Sequence, residues 1–206
     1  MSRRASSSQW YKTQSTDPYV KRRDQAGFRS RSAFKLQELL SRDKLCRSGQ
    51  VVLDLGATPG GWSQIVAPVV GAAGLVVAVD ILQMAPITGV EFILGDATEA
   101  LVVAEIENRL GGRRVDLVLS DMSPNLTGIR SVDEARSLVL AEQALYVGQN
   151  FLVKGGAMLI KLFQHNDTEL FIRTLKGRFT ELNRRKPAAS RSQSREFYLV
   201  ASGFRL

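Results

Sequence analysis

Apolar residues occur along this chain in short, nearly continuous runs that alternate with longer stretches of helical periodicity. The runs predict strands at 51–55 (VVLDL), 75–80 (LVVAVD), 90–94 (VEFIL), 115–120 (VDLVLS), 156–162 (GAMLIKL), 179–185 and 196–202. The stretches between them predict helices from about Arg31 and over 62–70, 98–110, 131–153 and 167–177. Apolar strands that alternate with helices are typical of an α/β protein whose parallel sheet is covered on both faces.

Acidic residues mark the ends of several predicted strands. Asp54, Asp80, Asp96 and Asp121 each fall at or just past such an end. Sheets of this class bind ligands at the carboxyl ends of their strands, near the point where the strand order reverses. We therefore expect the functional site at that edge of the sheet.

The composition fits one globular domain. The chain has 206 residues, of which 44% are hydrophobic and 23% charged. No apolar stretch approaches the roughly 20 residues of a membrane span, and the N-terminus lacks the apolar segment of a secretory signal. The single Cys46 excludes an internal disulfide, and with the single His165 it argues against a metal centre. We expect a cytoplasmic monomer with no metal and no membrane contact.

Positive charge is concentrated at the two ends of the chain. The net charge is +8; residues 1–31 hold eight Lys or Arg against two Asp, and residues 182–206 hold six against one Glu. Two basic ends on a nearly neutral body favour a polyanion such as nucleic acid, although basic tails can also be merely solvated. We expect a basic, flexible N-terminal segment at 1–30 and a single folded domain at 31–206.

The first predicted strand runs into an unusual loop, VVLDLGATPGGWS, at residues 51–63. Its glycine spacing differs from the dinucleotide fingerprint G-x-G-x-x-G, and the Gly-Lys end of a phosphate-binding Walker loop is absent. A tight strand–helix turn that binds nothing is the plain alternative. The loop resembles the first motif of S-adenosylmethionine-dependent methyltransferases in its D-x-G-x-x-P-G-G form. That resemblance assigns cofactor contacts to Asp54, Gly56, Pro59, Gly60, Gly61 and Trp62.

Two further acids extend this interpretation. Asp80 ends the second strand, where an acid can accept hydrogen bonds from ribose hydroxyls. Asp96, in LGDAT, ends the third strand and is expected to face an adenine amino group. Either residue alone is more often a turn or cap residue; together with the loop, they favour an adenosyl ligand.

Four charged residues lie outside the cofactor motif: Lys35 in RSAFKLQEL, Asp121 in VLSDMSPN, Lys161 in AMLIKLFQ and Glu196 in SREFYLVAS. A lysine within a buried strand costs several kcal/mol unless it is paired or lies at the open end of the strand. A snorkelling Lys161 at the strand end is the structural alternative.

In order and context these four residues match the K-D-K-E tetrad of RNA ribose 2′-O-methyltransferases. The chain resembles the FtsJ/RrmJ family, most closely its bacterial large-subunit rRNA members, in stretches that run from near residue 3 to near 203. They include FRSRSAFKLQEL, DLGATPGGWSQ, DMSPNLTG and RKPAASRSQSREFYLVASG. Thr58 stands where many relatives have alanine. The resemblance implies a Rossmann-like class I methyltransferase fold with a mostly parallel seven-stranded sheet, S-adenosyl-L-methionine as cofactor and a uridine of 23S rRNA as target.

The resemblance also implies roles for the tetrad. Lys161 is expected to deprotonate the ribose 2′-hydroxyl, favoured in its neutral form by Lys35, the cofactor's positive charge and partial burial. Lys35 and Asp121 are expected to fix the ribose and the base, with Asp121 also near the cofactor. Glu196 is expected to tune the lysines or hold the substrate.

RNA contacts are expected from the basic segments that lead into the tetrad in sequence. They are Arg29, Arg31, Arg184, Arg185, Lys186, Arg191 and Arg195. Contacts of this kind to phosphate fix register without reading bases. A tRNA or other RNA 2′-O-methyltransferase, or a non-catalytic ribosome-assembly RNA-binding protein on the same fold, are the alternatives.

Overall fold

The computed structural model describes residues 18–191 and 194–205. Seven strands lie within these residues: β1 Val51–Leu55, β2 Leu75–Asp80, β3 Val90–Leu94, β4 Val115–Ser120, β5 Leu152–Phe163, β6 Phe179–Arg185 and β7 Glu196–Phe204. The helices are α1 Pro18–Ala26, α2 Ser32–Asp43, α3 Ser63–Val70, α4 Ala100–Leu110, α5 Arg130–Phe151 and α6 Asn166–Leu175.

The strands form one sheet in the order β3-β2-β1-β4-β5-β7-β6. β1 to β5 pair in parallel, and β7 runs antiparallel to both β5 and β6. The strand order reverses between β1 and β4, so a crevice at their carboxyl ends is the expected ligand site. The predicted mostly parallel, seven-stranded sheet is confirmed.

Two hydrophobic clusters cover the sheet on opposite faces, because alternate strand residues point to opposite sides. Leu53 packs in the cluster that contains apolar residues of α4, α5 and α6. Its neighbour Val52 packs in the cluster that contains apolar residues of α2 and α3. Lys35 lies on α2, so it approaches the sheet from this second face.

The boundary between α5 and β5 differs from the prediction. The helix ends at Phe151 and the strand begins at once at Leu152, four residues before the predicted start. The pairing with β4 then shifts register between Val115↔Leu152 and Leu117↔Ala157, which leaves an irregular stretch that contains Gly155 at φ +84°. The irregular stretch that contains Gly155 is therefore a bulge within the strand, and the predicted start at residue 156 falls just after it.

The N-terminal part of the described chain is helical. α1 covers Pro18–Ala26, and the Tyr19 ring packs against Phe34 of α2 with centroids 5.5 Å apart. The predicted flexible segment at 1–30 falls partly outside the described residues, since residues 1–17 are not among them. Across residues 18–191 and 194–205, every helix is too short or too polar to cross a membrane.

Candidate active site

The loop after β1 is shaped by glycines that leave no room for a side chain. Gly56 has φ +73°, and a Cβ there would lie 2.5 Å from Cγ of Met122. A Cβ at Gly60, with φ +101°, would lie 2.6 Å from Cδ1 of Ile87. A Cβ at Gly61 would meet the Ser30 hydroxyl at 2.0 Å. The glycine pattern in the sequence is therefore a requirement of both conformation and close packing.

Asp54 is the most deeply buried acid near this loop, with an exposed fraction of 0%. Its Oδ2 accepts a hydrogen bond of 2.6 Å from the Ser63 hydroxyl, whereas its buried Oδ1 has no hydrogen-bond partner among the residues that the structure describes. Burial raises the pKa of Asp54 to about 7, against the lowering effect of the Ser63 hydrogen bond and with smaller increments from Asp121 and Asp80. Buried polar atoms are normally hydrogen-bonded, so an unpaired buried carboxyl oxygen indicates a position where a polar group of a ligand binds.

Two more acids lie at the ends of β2 and β3. Asp80 accepts hydrogen bonds from the backbone N–H of Thr58 and of Leu82, each at 2.8 Å, which fixes its carboxylate between the two loops. Asp96 accepts from the N–H and hydroxyl of Thr98, at 2.8 and 2.7 Å. The structure thus brings Asp54, Asp80 and Asp96 to one edge of the sheet.

Trp62 lies away from the open side of the loop. Its indole is 2% exposed, donates from Nε1 to the carbonyl of Ser32 at 3.0 Å and packs on Tyr198 with ring centroids 5.7 Å apart. The side chain therefore holds the loop against α2 in the core.

Lys161 and Asp121 form a pair at the ends of neighbouring strands. The register Ser120↔Ile160 places Asp121, just past β4, beside Lys161 of β5. Lys161 Nζ donates to the backbone carbonyl of Asp121 at 2.5 Å and lies 3.1 Å from its Oδ1. With a residue exposure of 8%, Lys161 is buried and paired, as the cost of burying a charge requires.

Lys35 and Glu196 form the second pair. Lys35 Nζ of α2 donates to Oε1 of Glu196, the first residue of β7. Burial alone would raise the pKa of Glu196, but Lys35 and, more weakly, Lys161 outweigh it and hold the pKa below its ordinary value. Glu196 therefore stays ionised at neutral pH and holds the Lys35 ammonium in place.

Tyr198 joins the two pairs and was missed from the sequence. It is fully buried opposite Lys161 in the β5–β7 ladder. Its hydroxyl donates to Asp121 Oδ1 at 3.0 Å and accepts from Lys35 Nζ at 3.4 Å. Burial, together with the charges of Asp121 and Glu196, raises the pKa of Tyr198 well above its ordinary value, so the phenol stays neutral. Its position two residues after Glu196, on the same face of a strand, was a signal that could have found it.

Most of the residues predicted to contact RNA form hydrogen bonds or ion pairs with other residues of the protein. Arg29 donates to the carbonyls of Pro59 at 3.3 Å, Ala85 at 2.6 Å and Pro86 at 2.6 Å, and so braces the glycine loop. Arg31 donates to the carbonyl of Ala189 at 2.6 Å. Both contacts tie the segment before α2 to loops around the site.

The basic residues around β6 behave similarly. Arg185 makes a largely buried ion pair with Asp43, and Arg184 pairs with Glu169. The remaining contacts run from Lys186 to the Ser194 carbonyl at 2.8 Å and from Arg195 to Glu134 at 2.9 Å, and Arg191 is exposed. An RNA contact for the seven predicted residues stays a prediction.

The arrangement has the form of a group-transfer site on a nucleotide. A glycine-rich loop with acidic strand ends adjoins two ammonium groups, which carboxylates hold and a neutral phenol bridges. On a sheet of this order, these features define a Rossmann-like methyltransferase.

Comparison with known proteins identifies the family. Residues 28–204 match the model of the FtsJ-like methyltransferases, and the chain belongs to that family. It is 51% identical over 204 residues to the ribosomal RNA large subunit methyltransferase E of Xanthomonas campestris pv. campestris (strain B100), which covers 99% of this chain and 97% of the relative. It is 49% identical over 205 residues to the protein of the same name from Hahella chejuensis, covering 100% of both chains. The resemblance predicted from the motifs is confirmed.

Solved structures agree on the fold. A Plasmodium falciparum protein described as a ribosomal RNA methyltransferase superposes with a TM-score of 0.78 at 27% identity, covering 86% of this chain and 98% of that one. Human methyltransferase-like protein 13, solved in complex with SAH, superposes with a TM-score of 0.57 at 14% identity, covering 82% of this chain and 81% of that one. The second likeness shows the fold alone.

Proposed function

We propose that this methyltransferase modifies the 2′-hydroxyl of a ribose, in a uridine of large-subunit 23S rRNA, with S-adenosyl-L-methionine as the methyl donor. The observation that carries the proposal is the joined cluster of Lys35, Asp121, Lys161 and Glu196 beside the glycine loop. The name shared by the close relatives supports the rRNA substrate. Ribosome assembly then places the activity in the cytoplasm, and the compact domain suits a monomer.

The residues around the crevice fit an adenosyl cofactor. The unpartnered Oδ1 of Asp54 and the backbone of the loop at Gly56, Pro59, Gly60, Gly61 and Trp62 would hold its methionine part. Asp80 would accept from the ribose hydroxyls, and Asp96 would lie at the adenine. The SAH in the human neighbour supports this cofactor class. When bound, the cofactor supplies an electrophilic methyl group on a positively charged sulfur.

Lys161 is the proposed base. Its Nζ is held from two sides, by the carbonyl and the Oδ1 of Asp121, so this nitrogen is fixed in position at the strand end. An amine accepts a proton only in its uncharged form, and in that form Lys161 would take the proton of the 2′-hydroxyl. The methyl group that the cofactor supplies would pass to that oxygen, and the sulfur would keep the electron pair of the broken S–C bond. Alignment of these atoms is the main contribution of the protein.

Lys35, Glu196 and Tyr198 keep the second ammonium group within the same cluster. Lys35 is held by Glu196 and contacts the Tyr198 hydroxyl, which also bonds to Asp121. A cation in this position would contact the oxygens of the target ribose and favour their loss of a proton. A ribose in a single-stranded or splayed nucleotide is the expected substrate, since a ribose within a helix is hard to align.

Methyl transfer by the purified protein tests the proposal. Large ribosomal subunits from cells without this protein, free 23S rRNA and tRNA are each offered with labelled S-adenosylmethionine, and the product is mapped for 2′-O-methylation. Lys161→Ala should lose most of the turnover at saturating substrate. The matched control is Lys154→Ala, an exposed lysine on the same strand, which should keep it.

The outcomes separate the alternatives. Transfer to tRNA alone would replace the rRNA substrate, and cofactor binding without transfer to any RNA would favour a non-catalytic assembly protein. Near wild-type turnover of Lys161→Ala would refute the role of that lysine.

A further inference from the structure

A second charged cluster lies at the same end of the sheet as the tetrad, on the opposite face. It centres on Glu134 in the second turn of α5. Oε1 of Glu134 accepts from Arg130 Nε and from Arg195 Nη1, each at 2.9 Å. Neither the proposed methyl transfer nor the sheet core uses these contacts.

In an ordinary surface ion pair both partners are exposed, whereas here the acid is buried and the two arginines are exposed. The Glu134 side chain is 7% exposed, whereas those of Arg130 and Arg195 are 67% and 46% exposed. The carboxylate thus lies beneath two guanidinium groups, and their outer edges face solvent. The hydrogen bond from Arg130, which outweighs burial, together with that from Arg195, lowers the pKa of Glu134 below its ordinary value and keeps it ionised.

The contacts with Glu134 use only a small part of the hydrogen-bond donors of each guanidinium group. An arginine carries five N–H donors in a planar fork, and here one donor nitrogen of each is hydrogen-bonded to Glu134. Among residues 18–191 and 194–205, neither arginine pairs with a second carboxylate. Two such forks fixed side by side suit the oxygens of a phosphate diester, which arginine binds in bidentate fashion.

The cluster is tied to the tetrad through the backbone. Arg195 directly precedes Glu196, and its carbonyl accepts from Gln164 N–H at 3.1 Å, just beyond the end of β5. In the ladder, Phe163 pairs with Glu196 and Lys161 with Tyr198. At about 3.3 Å of rise per residue, Arg195 lies roughly 10 Å along the strand from the level of Lys161. An RNA strand whose ribose reached Lys161 would therefore have a neighbouring phosphate within reach of this cluster.

The other titratable neighbours bracket the cluster on its α6 side. His165 Nε2 lies 3.6 Å from Oε2 of Glu134, and its Nδ1 accepts from Asp167 N–H at 3.2 Å at the start of α6. Asp167 Oδ2 lies 3.3 Å from the same Nδ1. The Asp167 carboxylate therefore contacts the imidazole ring and not the arginines. The two guanidinium groups form the cationic surface of the cluster.

From this geometry we infer that Arg130 and Arg195, held by the buried Glu134, form a phosphate-binding subsite for the RNA strand next to the target nucleotide. The inference rests on the proposed function for its ligand. Glu134 is a positioning residue: it binds no RNA but holds both guanidinium groups in place.

The RNA affinity of a Glu134 variant separates this role of Glu134 from a simple effect of net charge. Glu134→Gln makes the surface more positive, and long-range attraction alone would tighten RNA binding. If the carboxylate holds the two arginines, its loss weakens binding instead, by about three- to tenfold, the effect of losing a charge-assisted contact at a solvent-exposed position. Arg130→Gln and Arg195→Gln should each weaken binding by a similar factor.

The experiment is equilibrium binding of a free 23S rRNA fragment over a series of salt concentrations, by wild type and the three variants. Each arginine variant should lower the slope of log affinity against log salt by about 0.7, one phosphate contact on a single strand, and Glu134→Gln by at least as much. Glu142→Gln, an exposed acid two turns further along α5, is the matched control and should bind as tightly as wild type or slightly tighter. S-adenosylmethionine binding reports that the fold is intact.

Unchanged or tighter binding by Glu134→Gln, with cofactor binding intact, overturns the inference. If that variant does not fold, Arg130→Gln decides, because its side chain is mostly exposed, and an unchanged salt slope would overturn the inference equally. RNA binding is measured separately from methyl transfer. If the wild-type protein is inactive but the substitutions still weaken RNA binding, the proposed function alone is refuted. If the wild-type protein is active but the substitutions leave RNA binding unchanged, the subsite alone is refuted.

Discussion

The buried carboxyl of Asp54 should make the stability of this protein depend on pH in an unusual direction. Its pKa rises from 3.8 to about 7 on folding, mainly through burial. Between these values the folded protein binds a proton that the unfolded chain does not. The free energy of unfolding therefore falls as pH rises through this window and levels off above about pH 7.

The magnitude follows from the two pKa values. One pKa unit corresponds to about 1.36 kcal/mol, so the whole shift amounts to about 4 kcal/mol. Between pH 5 and pH 8 alone, the contribution of Asp54 should fall by about 2–3 kcal/mol. Asp54→Asn carries no charge at either pH and should not show this loss.

Urea unfolding of both proteins at pH 5 and pH 8 isolates this group, because the other titrating residues cancel in the difference. The free energy of unfolding of Asp54→Asn relative to wild type should increase by about 2–3 kcal/mol from pH 5 to pH 8. Ser63→Ala, which removes the hydrogen bond that lowers the Asp54 pKa, should extend the loss of stability to higher pH. A relative stability equal at the two pH values would show that Asp54 is ionised in the folded protein and would refute this reasoning.

Three further predictions concern the loop, the bridging phenol and the cysteine. Gly56→Ala should lower the free energy of unfolding by more than the roughly 1–2 kcal/mol of a left-handed residue, because its Cβ would lie 2.5 Å from Met122 Cγ. Gly111→Ala, at φ +55° with nothing within 4 Å, is the control that shows the conformational part alone in the same urea titration. Tyr198→Phe should cost about 1 kcal/mol in thermal unfolding and lower the methyl-transfer rate, and an unchanged rate would remove the hydroxyl from the working cluster. Burial raises the pKa of the Cys46 thiol to about 11, so iodoacetamide at pH 8 should label it far more slowly in the folded protein than in urea, and equal rates would contradict this.

The sequence predicted the sheet well because its strands are buried on both faces and read as uninterrupted apolar runs. β1 to β4 begin and end at the predicted residues. The start of β5 was missed because Leu152 and Val153 are apolar and fit either the end of a helix or the start of a strand. The predicted helix therefore ran on to residue 153, and the predicted strand began only at residue 156.

Helix α1 could not be predicted in the same way. Its sequence PYVKRRDQA is polar, and the packing of Tyr19 on Phe34 is a tertiary contact that local periodicity does not contain.

The site was predictable as far as its residues carry a recognisable pattern. The tetrad and the strand-end acids were predicted because motif and position agree, and the structure brings their side chains to the same end of the sheet. Tyr198, Ser63 and Glu134 were not, because a buried tyrosine, a helix serine and a helix glutamate have many ordinary roles. Their partners come from distant parts of the chain: the Tyr198 hydroxyl contacts residues 163 and 77 positions away.

The central claim is that Lys161 and its partners act on a ribose hydroxyl of large-subunit rRNA. The most direct test maps 2′-O-methylation across total RNA from cells with the protein, without it, and with the Lys161→Ala variant in its place. We expect one 23S rRNA uridine whose methylation is present only with the wild-type protein. Methylation that persists with Lys161→Ala, or that is lost from another class of RNA instead, would contradict it.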